Sequence, residues 1–124
     1  MSSLDARGLP EGYPFQPDWE VTPRSFKSMR DRGESVVLVD VRTTEERATA
    51  CLPDSIHLPL NEIESRSEQL RPHEDSLIVV HCHHGVRSLR AAAALQRLGF
   101  EQVRSLAGGI HLWSLDIDPS VPIY

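Results

Sequence analysis

The chain holds only two cysteines in 124 residues, Cys51 and Cys82. That excludes a disulfide framework and points to a reduced, cytoplasmic setting. No apolar run is long enough to span a bilayer, and the start shows no basic-then-apolar leader. Basic residues are outnumbered, 13 Lys and Arg against 18 Asp and Glu, for a net charge of −5. A chain of that balance has no general basic face, so neither nucleic acid nor a membrane is an expected partner. An anionic ligand would have to be attracted locally. The sequence has no internal repeat, and its length suits one compact domain whose core needs no disulfide or metal.

One stretch is rich in chemistry. The apolar run Leu77-Ile78-Val79-Val80 leads into His81-Cys82-His83-His84-Gly85-Val86-Arg87-Ser88 and then into Leu89-Arg90-Ala91-Ala92-Ala93-Ala94-Leu95-Gln96-Arg97-Leu98. The first run is short and β-branched, as in a buried strand. The last places Leu89, Ala92, Ala93 and Leu95 on one helical face, and Gly99 stops it. Cys82 therefore stands at a strand-to-helix turn, at the carboxyl end of a strand, where open α/β sheets bind ligands. Backbone N–H groups and the positive end of the helix dipole stabilise an anion there. A thiol so placed is expected to be partly thiolate near neutral pH. Gly85 permits a backbone that lets several N–H groups converge. Arg87, with His83 and His84, would add positive charge at the rim. The expected result is a nucleophilic sulfur in a small anion-binding cup.

Two fold-related families place a cysteine and an arginine in such a cup. Cys-x5-Arg protein phosphatases have a loop sized for phosphate, and rhodanese-type sulfurtransferases have one residue fewer. From Cys82 to Arg87 the count is Cys-x4-Arg, and the chain resembles a single-domain rhodanese. Asp40-Val41-Arg42, with Glu45 and Glu46 behind it, resembles the Asp-Val-Arg signature of that family. Leu106-Ala107-Gly108-Gly109 and Trp113 resemble its closing Leu-x-Gly-Gly and Trp. Between them the chain departs: Ala50-Cys51 stands where the family has Gly-His, and Asp54-Ser55 where it has Gly-Ala. Cys51 reads either as a semi-buried small hydrophobe or as a resolving thiol for Cys82. The resemblance covers roughly Val21 to Trp113.

The remaining elements follow from local pattern. Residues 1–18, rich in Pro and Gly, read as an extended N-terminal arm that either frays or docks through Tyr13, Phe15 and Trp19. Residues 19–124 form the domain. A short strand at Trp19–Val21 precedes Thr22-Pro23, an N-cap and first helical residue, and the helix runs to Asp31. Ser35–Val41 is the strongest strand signal, and Ile56–Leu58 is another strand. Leu60–Leu70 fits an amphipathic helix with Asn61 as N-cap. Gln102–Leu106 is the last strand, a Gly108-Gly109 pair allows close backbone approach, and the tail 116–124 is expected to lie extended on the surface.

Alternation of strands and helices implies an α/β fold with a parallel sheet and helices on both faces. The resemblance adds a three-layer α/β/α architecture with a five-stranded sheet in the order 1-5-4-2-3. It also implies sulfurtransferase chemistry through a Cys82 persulfide. In that scheme loop residues His83, His84, Gly85, Val86, Arg87 and Ser88 bind the substrate, and Asp40 and Arg42 support the loop. The partners would be a small sulfur donor such as thiosulfate and a thiol or protein acceptor. A persulfide carrier, a phosphatase or arsenate reductase, and a non-catalytic interaction domain are the alternatives. Protonated His83 and His84 would attract a dianion, an effect fading as pH rises through about 6.5. His81-Cys82-His83-His84 offers metal-ligand types, yet neighbours on a strand and tight turn cannot all face one ion. His57, His73, His111 and Cys51 are scattered along the chain. Neither metal nor cofactor is expected.

Overall fold

A computed structural model describes residues 4–124. Five strands, Glu20–Val21 (β1), Val36–Asp40 (β2), Ser55–His57 (β3), Leu77–His81 (β4) and Val103–Leu106 (β5), form one sheet in the order β1-β5-β4-β2-β3. All neighbours are parallel. The centre is the β2–β4 pair, in register from Val36 opposite Leu77 to Asp40 opposite His81. Strand ends fall within a residue or so of the sequence expectation, the usual scatter for such boundaries.

Side-chain alternation along the central strands divides the core in two. Val39, Ile78 and Val80 face one side, where they pack with Ala91, Ala92 and Leu95 of the helix Val86–Arg97 (α4). Leu38 and Val79 face the other, against Phe26 of Pro23–Asp31 (α1) and Ile110 and Trp113 of Gly109–Asp116 (α5). The two ring systems of Phe26 and Trp113 meet edge to face at 6.0 Å. Alanines in α4 let its axis approach the sheet, and fully buried Leu95 contributes about 2 kcal/mol by desolvation alone. Thr22 caps α1 by accepting from the Ser25 N–H, with Pro23 at the first helical position. No helix of the described residues is long and apolar enough to cross a membrane.

Three expectations need correction. Leu60–Leu70 is not one amphipathic helix. It is a 3-10 turn at Leu60–Glu62, a four-residue helix Ile63–Arg66 (α3) and a second 3-10 segment at Ser67–His73. Asn61 lies inside the first turn and caps nothing. Leu60, Ile63 and Leu70 are too sparse to drive a continuous helical stripe, and Pro72 withholds a donor at the end.

The N-terminal segment is not extended over Leu4–Asp18. It folds back in turns, bridges Leu4 to Pro10, and buries Leu9 completely against Ala107 and Leu112. One leucine placed on that small apolar patch gains more by burial than an extended chain would. Met1–Ser3 of the expected arm lie outside the described residues. The C-terminal tail is not simply a surface strap either. Val121 is buried, and Tyr124 folds back to the end of β2, where its hydroxyl joins Arg42 and Glu46.

Candidate active site

Strand β4 delivers Cys82 to the loop before α4. Its side chain is buried, and its Sγ receives the Gly85 N–H at 3.0 Å and the Ser88 N–H at 3.4 Å. The Ser88 hydroxyl stands 3.3 Å from the sulfur and 2.7 Å from the Ser105 hydroxyl on β5. Gly85, at φ +107°, makes the turn that aims these donors inward and opens α4. The dipole of the twelve-residue α4 points its positive end the same way.

A second helix start holds the loop from behind. Ile110 N–H of α5 donates to the Cys82 carbonyl at 2.9 Å, and His111 N–H donates to the His83 carbonyl at 3.1 Å. Gly108 and Gly109, both at positive φ, make this approach possible. A Cβ on Gly109 would stand 2.5 Å from each of those two carbonyl oxygens. Tyr13, from the N-terminal segment, closes the back: its hydroxyl accepts from the Gly108 N–H at 3.1 Å and donates to Glu20 at 2.6 Å.

The charged residues sit around the loop, paired with one another. Asp40 is fully buried and accepts from the Arg42 backbone N–H at 3.0 Å, from Arg42 Nε and Nη2 at 2.9 Å each, and from Arg47 at 3.1 Å. Burial pushes the Asp40 carboxyl up, but the Arg42 hydrogen bonds prevail and hold it below its ordinary value. Arg42, also fully buried, further donates to the Ala50 carbonyl at 2.6 Å and the Tyr124 hydroxyl at 2.9 Å. Asp40 and Arg42 thus tie the end of β2 to the chain before β3.

Arg87 does not point into the cup. It forms a two-bond fork on Glu46, at 2.6 and 2.8 Å. This fork holds the Glu46 carboxyl far below the usual carboxylate range and raises the guanidinium in turn. Glu46 also closes a capping box with Thr43 at the start of Thr44–Thr49 (α2) and accepts from Tyr124 at 2.7 Å. Burial first, and then the bond to Glu46, push the Tyr124 hydroxyl up to about 12. Thr43-x-x-Glu46 is a legible capping signature that fixes the address of Glu46, whereas its pairing with Arg87 has no local signal. Tyr124 carried no local signal.

The loop histidines lie at the rim. His83 stacks flat on Tyr124 at 4.0 Å, and His84 is exposed with its ring 4.0 Å from His83. Burial lowers the pKa of both, and the nearby charges of His83 and His111 lower His84 further. The expected dianion attraction by protonated His83 and His84 is therefore confined to pH below the ordinary histidine range. Val86 is exposed at the lip. Beside it a groove of about 540 Å³ runs between Arg42, Thr43, Pro59, Leu60, Glu62 and Arg87. Cys51 is exposed and unbonded, while Cys82 is buried.

Residues 22–116 match the family model described as a rhodanese-like domain. A sulfurtransferase of Allochromatium vinosum is 35% identical over 95 residues, which cover 77% of this chain and 87% of that one. A candidate sulfur carrier protein of Bacillus subtilis, YrkF, is also 35% identical over 95 residues, covering 77% of this chain and 50% of YrkF. The first three curated relatives are longer proteins, of which the chain spans 23% to 50%. The solved structure of a rhodanese-like domain protein from Staphylococcus aureus superposes with a TM-score of 0.73 at 25% identity, covering 86% of this chain and 98% of that one. Its fold class is that of the sheet described above. With a cysteine loop between β4 and α4, an Asp-Val-Arg strand end and a Gly-Gly pair behind the loop, the chain belongs to the rhodanese-like domain family.

Proposed function

We propose that the protein is a sulfurtransferase in which Cys82 carries sulfane sulfur as a persulfide. The observation that carries this reading is the convergence of the Gly85 and Ser88 N–H groups and the Ser88 hydroxyl on one buried sulfur at a helix start. The Cys82 thiolate attacks the outer sulfur of a donor such as thiosulfate. The S–S bond of the donor breaks, sulfite leaves with its electron pair, and a Cys82 persulfide remains. An acceptor nucleophile then attacks the terminal sulfur, and Cys82 leaves as thiolate. In both steps the same three donors face the sulfur on which negative charge resides or develops. Asp40 and Arg42 act as braces. Arg87, held by Glu46, positions the rim.

A second reading, a persulfide carrier serving a dedicated protein acceptor, uses the same residues and is favoured by the similarity to YrkF. A phosphatase or arsenate reductase is disfavoured by the Arg87–Glu46 pair, which leaves no free guanidinium for a dianion. Intact-protein mass spectrometry before and after thiosulfate, on wild type and Cys82→Ala, tests the proposal. A gain of one sulfur in wild type, absent in Cys82→Ala and removed by cyanide, is the expected result. No gain while iodoacetamide still labels Cys82 overturns the thiosulfate donor. Gain without turnover to small thiols selects the carrier.

A further inference from the structure

Cys82 and its donors leave one cluster at the loop unused. His83 and His84 from the loop and His111 from the first turn of α5 come together, although His111 lies 27 positions after His84 in the sequence. The link is the Gly108-Gly109 turn, which sets the His111 N–H on the His83 carbonyl. The His84 and His111 rings lie 4.7 Å apart, and those of His83 and His111 6.1 Å apart. One ring nitrogen from each of the three falls within 4.8 Å of the others. Among the described residues this is the only set of three or more histidine, cysteine or acidic side chains so placed.

A second observation concerns hydrogen bonding. His83 Nε2 and His111 Nδ1 are buried, yet neither has a protein hydrogen-bond partner. Buried polar atoms are ordinarily satisfied, so two unpartnered imidazole nitrogens in one cluster are open to a ligand. The carboxylates of the neighbourhood are engaged: Glu46 by Arg87 and Tyr124, Asp40 by Arg42 and Arg47. Each neutral imidazole offers one lone-pair nitrogen beside its N–H, so three of them can present three lone pairs to one cation.

We propose that His83, His84 and His111 form a binding site for a borderline first-row divalent metal ion, with Zn²⁺ as the reference ion, at the rim of the Cys82 loop. Three imidazoles suit Zn, Ni and Cu, whereas Mg and Ca require oxygen. Nitrogens bound to one tetrahedral zinc at 2.0–2.1 Å stand about 3.3 Å apart. Closing the set from its present spacing takes roughly 1.5 Å, within the reach of side-chain rotation. His83 is backed by the flat ring of Tyr124, so it is already oriented. Neutral imidazole is the coordinating form. Sequence alone leaves His111 scattered from the loop histidines; the fold brings it to them on α5.

The test is a Zn²⁺ titration by calorimetry and a Co²⁺ titration by absorption, on wild type and on Cys51→Ser/Cys82→Ser, which removes both thiols. The expected result is one equivalent bound by both, with visible d–d bands and no sulfur-to-cobalt charge transfer. His84→Asn and His111→Asn should each weaken binding about ten-fold or more, since even outer-shell changes cost metals that much. Thermal melts without metal establish that each variant is folded. Loss of binding with the cysteines would assign the ion to thiolates and overturn the proposal. So would unchanged affinity in both histidine variants, or no saturable binding in wild type. Binding is read directly, so the result is independent of whether the protein transfers sulfur.

Discussion

The contact between the α5 start and the cysteine loop makes Gly109 the most constrained position near Cys82. Replacing it with alanine adds one carbon, which would meet the Cys82 and His83 carbonyl oxygens at 2.5 Å. Those atoms are backbone, so relief requires moving α5 or the loop. Two costs combine. A residue with a Cβ at φ +62° is disfavoured by about 1–2 kcal/mol, and overpacking against a fixed wall adds about 1–3 kcal/mol. The sum is about 2–5 kcal/mol. Gly33 supplies an internal control. It lies at φ +73° with nothing within 4 Å of its Cβ position, so Gly33→Ala carries the conformational cost alone, about 1–2 kcal/mol. Urea unfolding of both variants separates the terms. Iodoacetamide labelling of Cys82 reads the site, because shifting α5 releases the Ile110 and His111 N–H bonds that hold the loop. Gly109→Ala should change the labelling rate and Gly33→Ala should not. Equal destabilisation of the two variants, with equal labelling, would refute the close-approach argument.

Two further changes probe the surroundings of the loop. His81 is fully buried, has no hydrogen-bond partner for either ring nitrogen, and stays neutral because burial pulls its pKa down to about 4. Its folded pKa is below the unfolded value of about 6.5, so the unfolded chain binds the extra proton; stability is whole above pH 6.5 and falls towards pH 4, by up to about 3 kcal/mol. Urea melts of wild type and His81→Leu at pH 7.5, 5.5 and 4.5 should show a steeper acid loss in wild type, and parallel curves would contradict this. Tyr124→Phe removes the bonds to Arg42 and Glu46 while keeping the ring on His83. It should cost about 1 kcal/mol, seen as a lower Tm, with Tyr124→Ala costing more because the stacking is lost as well.

The legible parts of the molecule are those where one residue type has one physical use. A nearly continuous β-branched run such as Val36–Val39 suits a strand whose end is buried on both faces, and it forms one. Thr22-Pro23 starts a helix wherever it stands, and a glycine before a helix beside a cysteine marks a turn. The 60–73 segment was illegible because its three apolar residues fit a helix and a string of 3-10 turns equally, and packing decided. Leu9 and Tyr124 were illegible for another reason. Each owes its position to a partner distant in sequence, Leu112 for one and Glu46 for the other, and no local pattern encodes that distance. Arg87 shows the limit most plainly. Its spacing from Cys82 marked it, but its direction was set by Glu46, 41 residues earlier.

That pairing has a consequence for which anions the loop accepts. Arg42 is matched by Asp40 and Arg87 by Glu46, so the pull on sulfur comes from N–H groups, a hydroxyl and a helix dipole rather than a free cation. Fixed dipoles suffice for a sulfur that carries one negative charge, whereas a dianion is better held by a guanidinium fork. Glu46→Gln removes the opposing charge and should turn the rim positive. Discounting one rim charge for the partial exposure and screening of this pair, the gain for an arriving anion is about 1 kcal/mol, or about five-fold. Iodoacetate and iodoacetamide are near-isosteric alkylating agents that differ in charge. The ratio of their rates on Cys82 should therefore rise about five-fold in Glu46→Gln at low salt, and the rise should shrink at high salt. Tyr124→Phe leaves both charges in place and should leave the ratio unchanged. A ratio in Glu46→Gln equal to that of wild type would mean that Arg87 exerts no field at the sulfur, and the charge-matching argument would fall.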